Sequence, residues 1–80
     1  MLDNLIIFKN YNNVEFNFSN NLKIKDSILF NNCSNFNIII SNKINKISII
    51  NCNDFKLVFT DTISGIDIEK SNEIKIKRNI

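Results

Sequence analysis

The 80-residue chain has no histidine, proline, tryptophan or alanine, and Gly65 is its only glycine. Without histidine, the two cysteines cannot complete a zinc site, and neither has the base that a cysteine nucleophile needs. No glycine-rich phosphate loop, pair of metal ligands or nucleophile motif occurs. The sequence therefore predicts a protein that is not an enzyme and needs no cofactor.

Long apolar runs and targeting signals are also missing. No apolar segment approaches the ~20 residues of a membrane span, and residues 1–8 lack the basic start and cleavage site of a signal peptide. The net charge of +2 is too small and too mixed to indicate nucleic acid binding. These features predict a cytoplasmic protein that contacts neither membrane nor nucleic acid. In that reducing compartment we expect Cys33 and Cys52 to be free thiols.

Asparagine and isoleucine are the two most common residue types in the chain. Isoleucine fits the half-buried surface of a β-strand, and asparagine tolerates left-handed backbone and suits turns. A helical fold is disfavoured, because alanine is missing and β-branched residues occur throughout. The composition predicts an all-β fold with polar corners.

A 19-residue repeat organises the second half of the chain, where residues 36–54 and 55–73 align without a gap. The apolar pairs are Phe36 with Phe55, Ile38 with Leu57, Ile40 with Phe59, Ile44 with Ile63, Ile47 with Ile66 and Ile49 with Ile68. Apolar residues alternate within each copy, which indicates strands with one buried face. Two short strands per unit at a fixed step predict stacked coils, a parallel β-solenoid. A hairpin array is disfavoured because Asn-Gly and Asp-Gly turns do not occur.

The chain is expected to form one domain without a linker. Residues 1–12 are expected to form an entering strand that caps the first coil. Three coils are expected at residues 13–35, 36–54 and 55–73, and a further coil is expected to start at residues 74–80. Leu5, Ile7 and Phe8 are the apolar residues of the entering strand. The coil 13–35 is longer than the repeat, with Leu22 and Ile24 alternating before a bulge near residues 25–27.

Residues 42–52 read NKINKISIINC, and LVF follows at 57–59 and ISGIDI at 63–68. This segment resembles the C-terminal domain of the cyclase-associated proteins (the C-CAP/cofactor C-like domain with its CARP motif), over roughly residues 12–77. The resemblance implies a right-handed parallel β-helix in a cytoplasmic, cytoskeleton-associated protein. It implies binding of monomeric actin, preferably ADP-loaded, in actin turnover. It also implies a homodimer formed through the C-terminal strands, so we expect self-association at the last coil edge.

The chain departs from the family pattern in three places. The family's glycine before Lys43 is Asn42, and its basic pair after Cys52 is Asn53-Asp54. The resemblance further implies that a second half of the domain, with a dimerising hairpin and an actin-contacting tail, is missing from these 80 residues. Two other functions stay open: an assembly scaffold that does not bind actin, and a regulator like the tubulin-cofactor-C domains, which use an arginine finger. The only arginine is Arg78, in the last predicted strand.

Six polar residues are the candidate actin contacts: Lys43, Lys46, Asn51, Lys56, Asp61 and Asp67. They are expected on exposed strand faces and coil corners, where lysines would steer the chain towards actin's acidic surface. The alternative is that each lysine contacts only solvent. Lys75, Lys77 and Arg78 are interpreted as charges that protect an edge strand.

Two sets of corner residues are further candidates. Cys33, Cys52 and Ser71 share one repeat position, and they are expected to be small residues that fill a tight corner, with a redox pair as the alternative. Asn32 and Asn51 are expected to hydrogen-bond the turn backbone.

Overall fold

The computed structural model describes residues 4–18 and 22–79, and all regular elements in this part of the chain are strands. The strands are β1 (Leu5–Lys9), β2 (Asn12–Phe18), β3 (Ser27–Asn31), β4 (Ser34–Ile44), β5 (Lys46–Ile50), β6 (Asn53–Thr62), β7 (Ile66–Glu69) and β8 (Asn72–Arg78). The start of the expected entering strand, residues 1–3, and Ile80 of the expected last coil lie outside the described residues. None of the residues that the structure describes belongs to a helix that could cross a bilayer.

The eight strands form two parallel sheets of four strands each. Sheet A has the order β1-β3-β5-β7, and sheet B has the order β2-β4-β6-β8. Each coil contributes one strand to each sheet, so the chain winds as a β-solenoid of about four coils. The all-β solenoid predicted from the repeat is therefore confirmed.

The strand register follows the repeat. Phe36 lies beside Phe55, and Ile47 lies beside Ile66, as the predicted step requires. In sheet A the step from Ile28 to Ile47 has this same length. In sheet B the step from β2 to β4 is longer, as expected, but by one residue less than the boundaries of the first coil imply. Those boundaries would place Asn13 beside Phe36, whereas Val14 lies there.

One predicted pair is wrong, because β4 contains a bulge between Ile40 and Lys43. Beyond the bulge the step to the next coil is shorter by one residue, so Ile44 lies beside Thr62 and not beside Ile63. An extra residue in the next corner restores the original step at Ile47 and Ile66. Gly65 allows that corner, because its φ of 91° lies in a region that other residues rarely adopt.

The three apolar residues named for the entering strand do not share one face of β1. Phe8 is buried, whereas Leu5 and Ile7 are 58% and 55% exposed. Register with β3 decides this, because Phe8 lies beside the buried Phe30. Phe8 and Phe30 stack with ring centroids 5.3 Å apart, and Phe36 and Phe55 continue the aromatic core at 5.2 Å.

The turn before β3 is held by a carboxylate that the sequence did not single out. Asp26 is buried, and its side chain accepts hydrogen bonds from the backbone N–H of Lys23 (2.8 Å) and from Asn4 Nδ2 (3.2 Å). Its own N–H donates to the Lys23 carbonyl and closes the turn. Ile24 lies in this turn and is exposed, so the expected alternation of Leu22 with Ile24 ends there.

The corner from sheet A to sheet B, called the A-to-B corner, repeats in each coil at residues 10–13, 32–35, 51–54 and 70–73. Its first and last residues have left-handed backbone, at Asn10, Asn13, Asn32, Asn35, Asn51, Asp54, Lys70 and Glu73. Asparagine and aspartate tolerate this conformation best after glycine. Asn32 Nδ2 donates to Asn10 Oδ1 (2.7 Å), a contact between side chains rather than the expected bond to turn backbone. The corners therefore explain much of the asparagine content.

Replacing Lys70 with Asn should stabilise the fold, because lysine fits left-handed backbone less well. We expect a gain of about 0.5–1 kcal/mol in the free energy of unfolding, measured by urea denaturation as a higher midpoint at unchanged slope. Lys9→Asn, in a strand, is the control and should give no gain. A Lys70→Asn midpoint at or below the wild-type value would contradict this account of the corner.

Ile47→Asp should unfold the chain, because Ile47 is fully buried and an unpaired charge cannot be accommodated in so small a core. Ile39→Asp is the matched control, since Ile39 is 40% exposed on the outer face of sheet B. Circular dichroism should show the β signal lost in the first variant and kept in the second. Folding of Ile47→Asp would show that the core does not depend on this position.

Candidate functional site

The six predicted contact residues lie in three different places on the solenoid. Four of them, Lys43, Lys46, Asp61 and Asp67, flank the corner from sheet B back to sheet A, called the B-to-A corner. Asn51 lies in the A-to-B corner with φ 54°, and Lys56 lies near the start of β6 on the outer face of sheet B. The structure therefore brings together the first four and separates them from the other two.

Ion pairs link neighbouring coils at the B-to-A corner. Asp61 lies 3.6 Å from Lys43 Nζ and 3.2 Å from Arg78 Nη2, and Arg78 Nε also donates to the Thr60 carbonyl (3.2 Å). Lys46 Nζ lies 2.7 Å from Asp67 Oδ2. All of these side chains are more than a third exposed, so each pair contributes only about 0.2–1 kcal/mol. The main consequence is electrostatic: carboxylates of this chain offset much of the positive charge of Lys43, Lys46 and Arg78.

The outer face of sheet B carries cations that are not compensated in this way. Two columns of side chains run from coil to coil along this face. The first consists of Glu15, Asn37, Lys56 and Lys75, and the second consists of Asn17, Ile39, Val58 and Lys77. Lys56, Lys75 and Lys77 take part in none of the ion pairs found within residues 4–18 and 22–79. Ile39 and the half-buried Val58 lie between them and line a shallow groove with Lys56 and Asn37.

We call Ile39, Lys56, Val58, Lys75 and Lys77 the basic face. It combines an apolar centre with lysines at its rim, which suits the surface of an acidic protein. Sequence reasoning found only Lys56. Lys75 could have been found from the period-two alternation, because it lies between Ile74 and Ile76. Ile39 and Val58 stand within apolar runs, where the alternation is a weak signal.

The cysteines occupy a buried column. The backbone N–H of Cys52 donates to Ser71 Oγ (3.0 Å), so these two residues are neighbours. Cys33 Sγ lies 3.6 Å from the Phe8 carbonyl, and Cys52 Sγ lies 3.3 Å from the Ile50 carbonyl. Burial raises the pKa of the Cys52 thiol, and hydrogen bonds with the backbone of Cys33 and Ile50 oppose part of that rise. Both cysteines are free, and these contacts match small residues filling a corner.

No cluster of metal-ligating side chains was found in the described part of the chain. Stacked parallel coils place the protein in the class of β-solenoid domains. A family model described as adenylate cyclase associated (CAP) C terminal matches residues 3–79. The chain therefore belongs to the CAP C-terminal family, a cytoskeleton-associated family of non-catalytic, actin-binding domains. No curated protein and no solved structure matches the chain.

The raised pKa of Cys52 predicts a loss of stability at alkaline pH. The unfolded thiol ionises near its ordinary pKa of about 8.5, while the buried thiol keeps its proton. The stability that the buried, protonated thiol contributes is therefore complete below that pH and is lost as the pH rises above it. The free energy of unfolding should fall as the pH rises above about 8.5, and the fall should be smaller in Cys52→Ala. Urea titrations at each pH measure both. Equal falls in the two proteins would show that Cys52 is not the group responsible.

Proposed function

We propose that this chain binds monomeric actin, preferably the ADP-bound form, through the basic face and thereby takes part in actin turnover. The observation that carries the proposal is Lys56, an exposed lysine outside the ion pairs described above, which lines the same shallow groove as the exposed Ile39 on the outer face of sheet B. The family match supports the class of partner.

Electrostatics favour the basic face over the B-to-A corner as the surface that meets an acidic partner first. Asp61 and Asp67 offset at short range most of the positive charge of Lys43, Lys46 and Arg78, because Asp61 is shared by Lys43 and Arg78. The charges of Lys56, Lys75 and Lys77 act at longer range, so they should govern the association rate. We propose that Lys43, Lys46, Asn51, Asp61 and Asp67 contribute only contacts at the rim of the interface.

Packing gives the basic face a rigid support. Sheet B pairs β4 with β6 and β6 with β8 in continuous register across Ile39, Val58 and Lys77. The backbone of these residues is therefore fixed before the partner arrives, and little conformational entropy is lost on binding. Ile39 and Val58 supply the apolar centre that specific interfaces need.

Binding should be lost when the charge of the basic face is reversed. We expect Lys56→Glu to weaken binding by roughly tenfold or more, because the partner's acidic groups would then meet a like charge. Lys9→Glu makes the same charge change on the outer face of sheet A and should leave the affinity within about twofold. A fluorescence titration of labelled ADP-actin monomers measures both, with circular dichroism to check folding.

Two further measurements, the salt dependence of binding and the affinity for ATP-actin, complete this test. Affinity should fall as salt rises, because exposed charges are screened over about 10 Å at 0.1 M, and ATP-actin should bind less tightly than ADP-actin. If folded wild-type chain fails to bind at tens of micromolar, actin binding is ruled out for this chain and the scaffold alternative is favoured. If Lys56→Glu and Lys9→Glu bind alike, the basic face is the wrong surface.

A further inference from the structure

The shallow groove on the outer face of sheet B carries opposite charges at its two ends. Its lining comes from β2, β4 and β6, so the groove crosses the strands and runs along the axis of the solenoid. Glu15, Asn37 and Lys56 form one side of it, each beside the next in register. Glu15 and Lys56 are exposed, and neither enters an ion pair among the described residues. The groove therefore has an acidic end in the first coil and a basic end in the third.

Apolar side chains form the other side of the groove. Ile39 is 40% exposed, and the half-buried Val58 lies beside it in register. The groove has a volume of about 290 Å³, which is at the lower limit of pockets that take small molecules. A shallow groove of this size suits side chains that project from a partner protein.

The distance between the two charged ends selects the secondary structure of the partner segment. Glu15 and Lys56 are two coils apart, which is about 10 Å, because neighbouring strands are spaced by about 4.8 Å. In an α-helix, residues i and i+7 lie on the same face about 10.5 Å apart. In a β-strand, residues on one face are about 6.8 or 13.6 Å apart, and neither spacing matches. A helix along the groove can therefore place one charged residue at each end.

We propose that the partner segment in this groove is an amphipathic helix, with a basic residue opposite Glu15 and an acidic residue opposite Lys56, seven positions away. This inference rests on the proposed function, in which the helix belongs to actin. An apolar residue three or four positions from the basic residue then lies about 5 Å along the helix, at the level of Ile39. Glu15 becomes a specificity-determining residue, because it selects a partner that is basic at one point of an otherwise acidic surface.

Reversing the charge of Glu15 distinguishes this inference from simple attraction between a basic face and an acidic partner. Glu15→Lys adds positive charge, so long-range attraction alone would tighten the binding of ADP-actin. A basic helix residue at this end would instead meet a like charge, and we expect the fluorescence titration to show binding weakened by about fivefold or more. Glu69→Lys makes the same charge change on the outer face of sheet A and should leave the affinity within about twofold. Unchanged or tighter binding of Glu15→Lys would overturn the inference and leave actin binding itself in place.

A synthetic helix tests the groove without actin. The probe is a peptide of about 18 residues, based on alanine and glutamine, with lysine at position i, leucine at i+3 and i+4, and glutamate at i+7. It should shift the amide NMR signals of Ile39 and Val58 at peptide concentrations up to about 1 mM. A control peptide with its glutamate at i+11 keeps both charges on one face but about 16.5 Å apart, and it should bind at least about fivefold more weakly. This arm decides the inference even if the wild type fails to bind actin.

Exchanging the two charges of the groove provides the matched variants. Glu15→Lys and Lys56→Glu each give the groove two like charges, and each should weaken peptide binding by about fivefold. The double variant Glu15→Lys/Lys56→Glu restores opposite charges, and the peptide can lie in the reverse direction, so its affinity should return to within about twofold of the wild-type value. Circular dichroism must show the wild-type β signal for each variant. Amide signals of Ile39 and Val58 that do not shift, or a double variant that binds no better than the single ones, would overturn the inference.

Discussion

Hydrogen bonding between parallel coils is the constraint on which this structure depends, because it fixes which side chains can be neighbours. Once Phe36 lies beside Phe55, every inward residue of β4 and β6 stacks on its counterpart as far as the bulge. The same register fixes the outer faces, so Lys56 must lie beside Lys75, and Val58 beside Lys77. Core, corners and charged columns are therefore consequences of the register between coils.

The repeat made much of the fold predictable, since a constant step with period-two alternation allows few arrangements. Prediction failed where local geometry interrupts the period. The bulge before Lys43 moved Ile44 from Ile63 to Thr62, and nothing in an apolar pattern marks such a bulge. In β1 both alternating sets are apolar, so only the pairing of Phe8 with Phe30 decides which set is buried.

The candidate site was less predictable than the fold. Exposed charges can be read from the sequence, but their compensation depends on distances between coils. Lys43 and Lys56 look equivalent in the sequence, yet Asp61 lies 3.6 Å from Lys43, whereas Lys56 enters none of the ion pairs in the described part of the chain. Ile39 and Val58 stand within apolar runs, where alternation marks them only weakly as outward residues, and the register places them outside.

The two corners differ in how much length they tolerate. The A-to-B corner keeps the same length in every coil, because its left-handed first and last residues set the turn. The connection through the B-to-A corner varies: Asn45 alone lies between β4 and β5, whereas residues 63–65 lie between β6 and β7. Insertions at this edge leave the stacking of the coils intact. Evolution or an engineer can therefore lengthen the protein's loops along one edge of the solenoid while the opposite edge keeps its spacing.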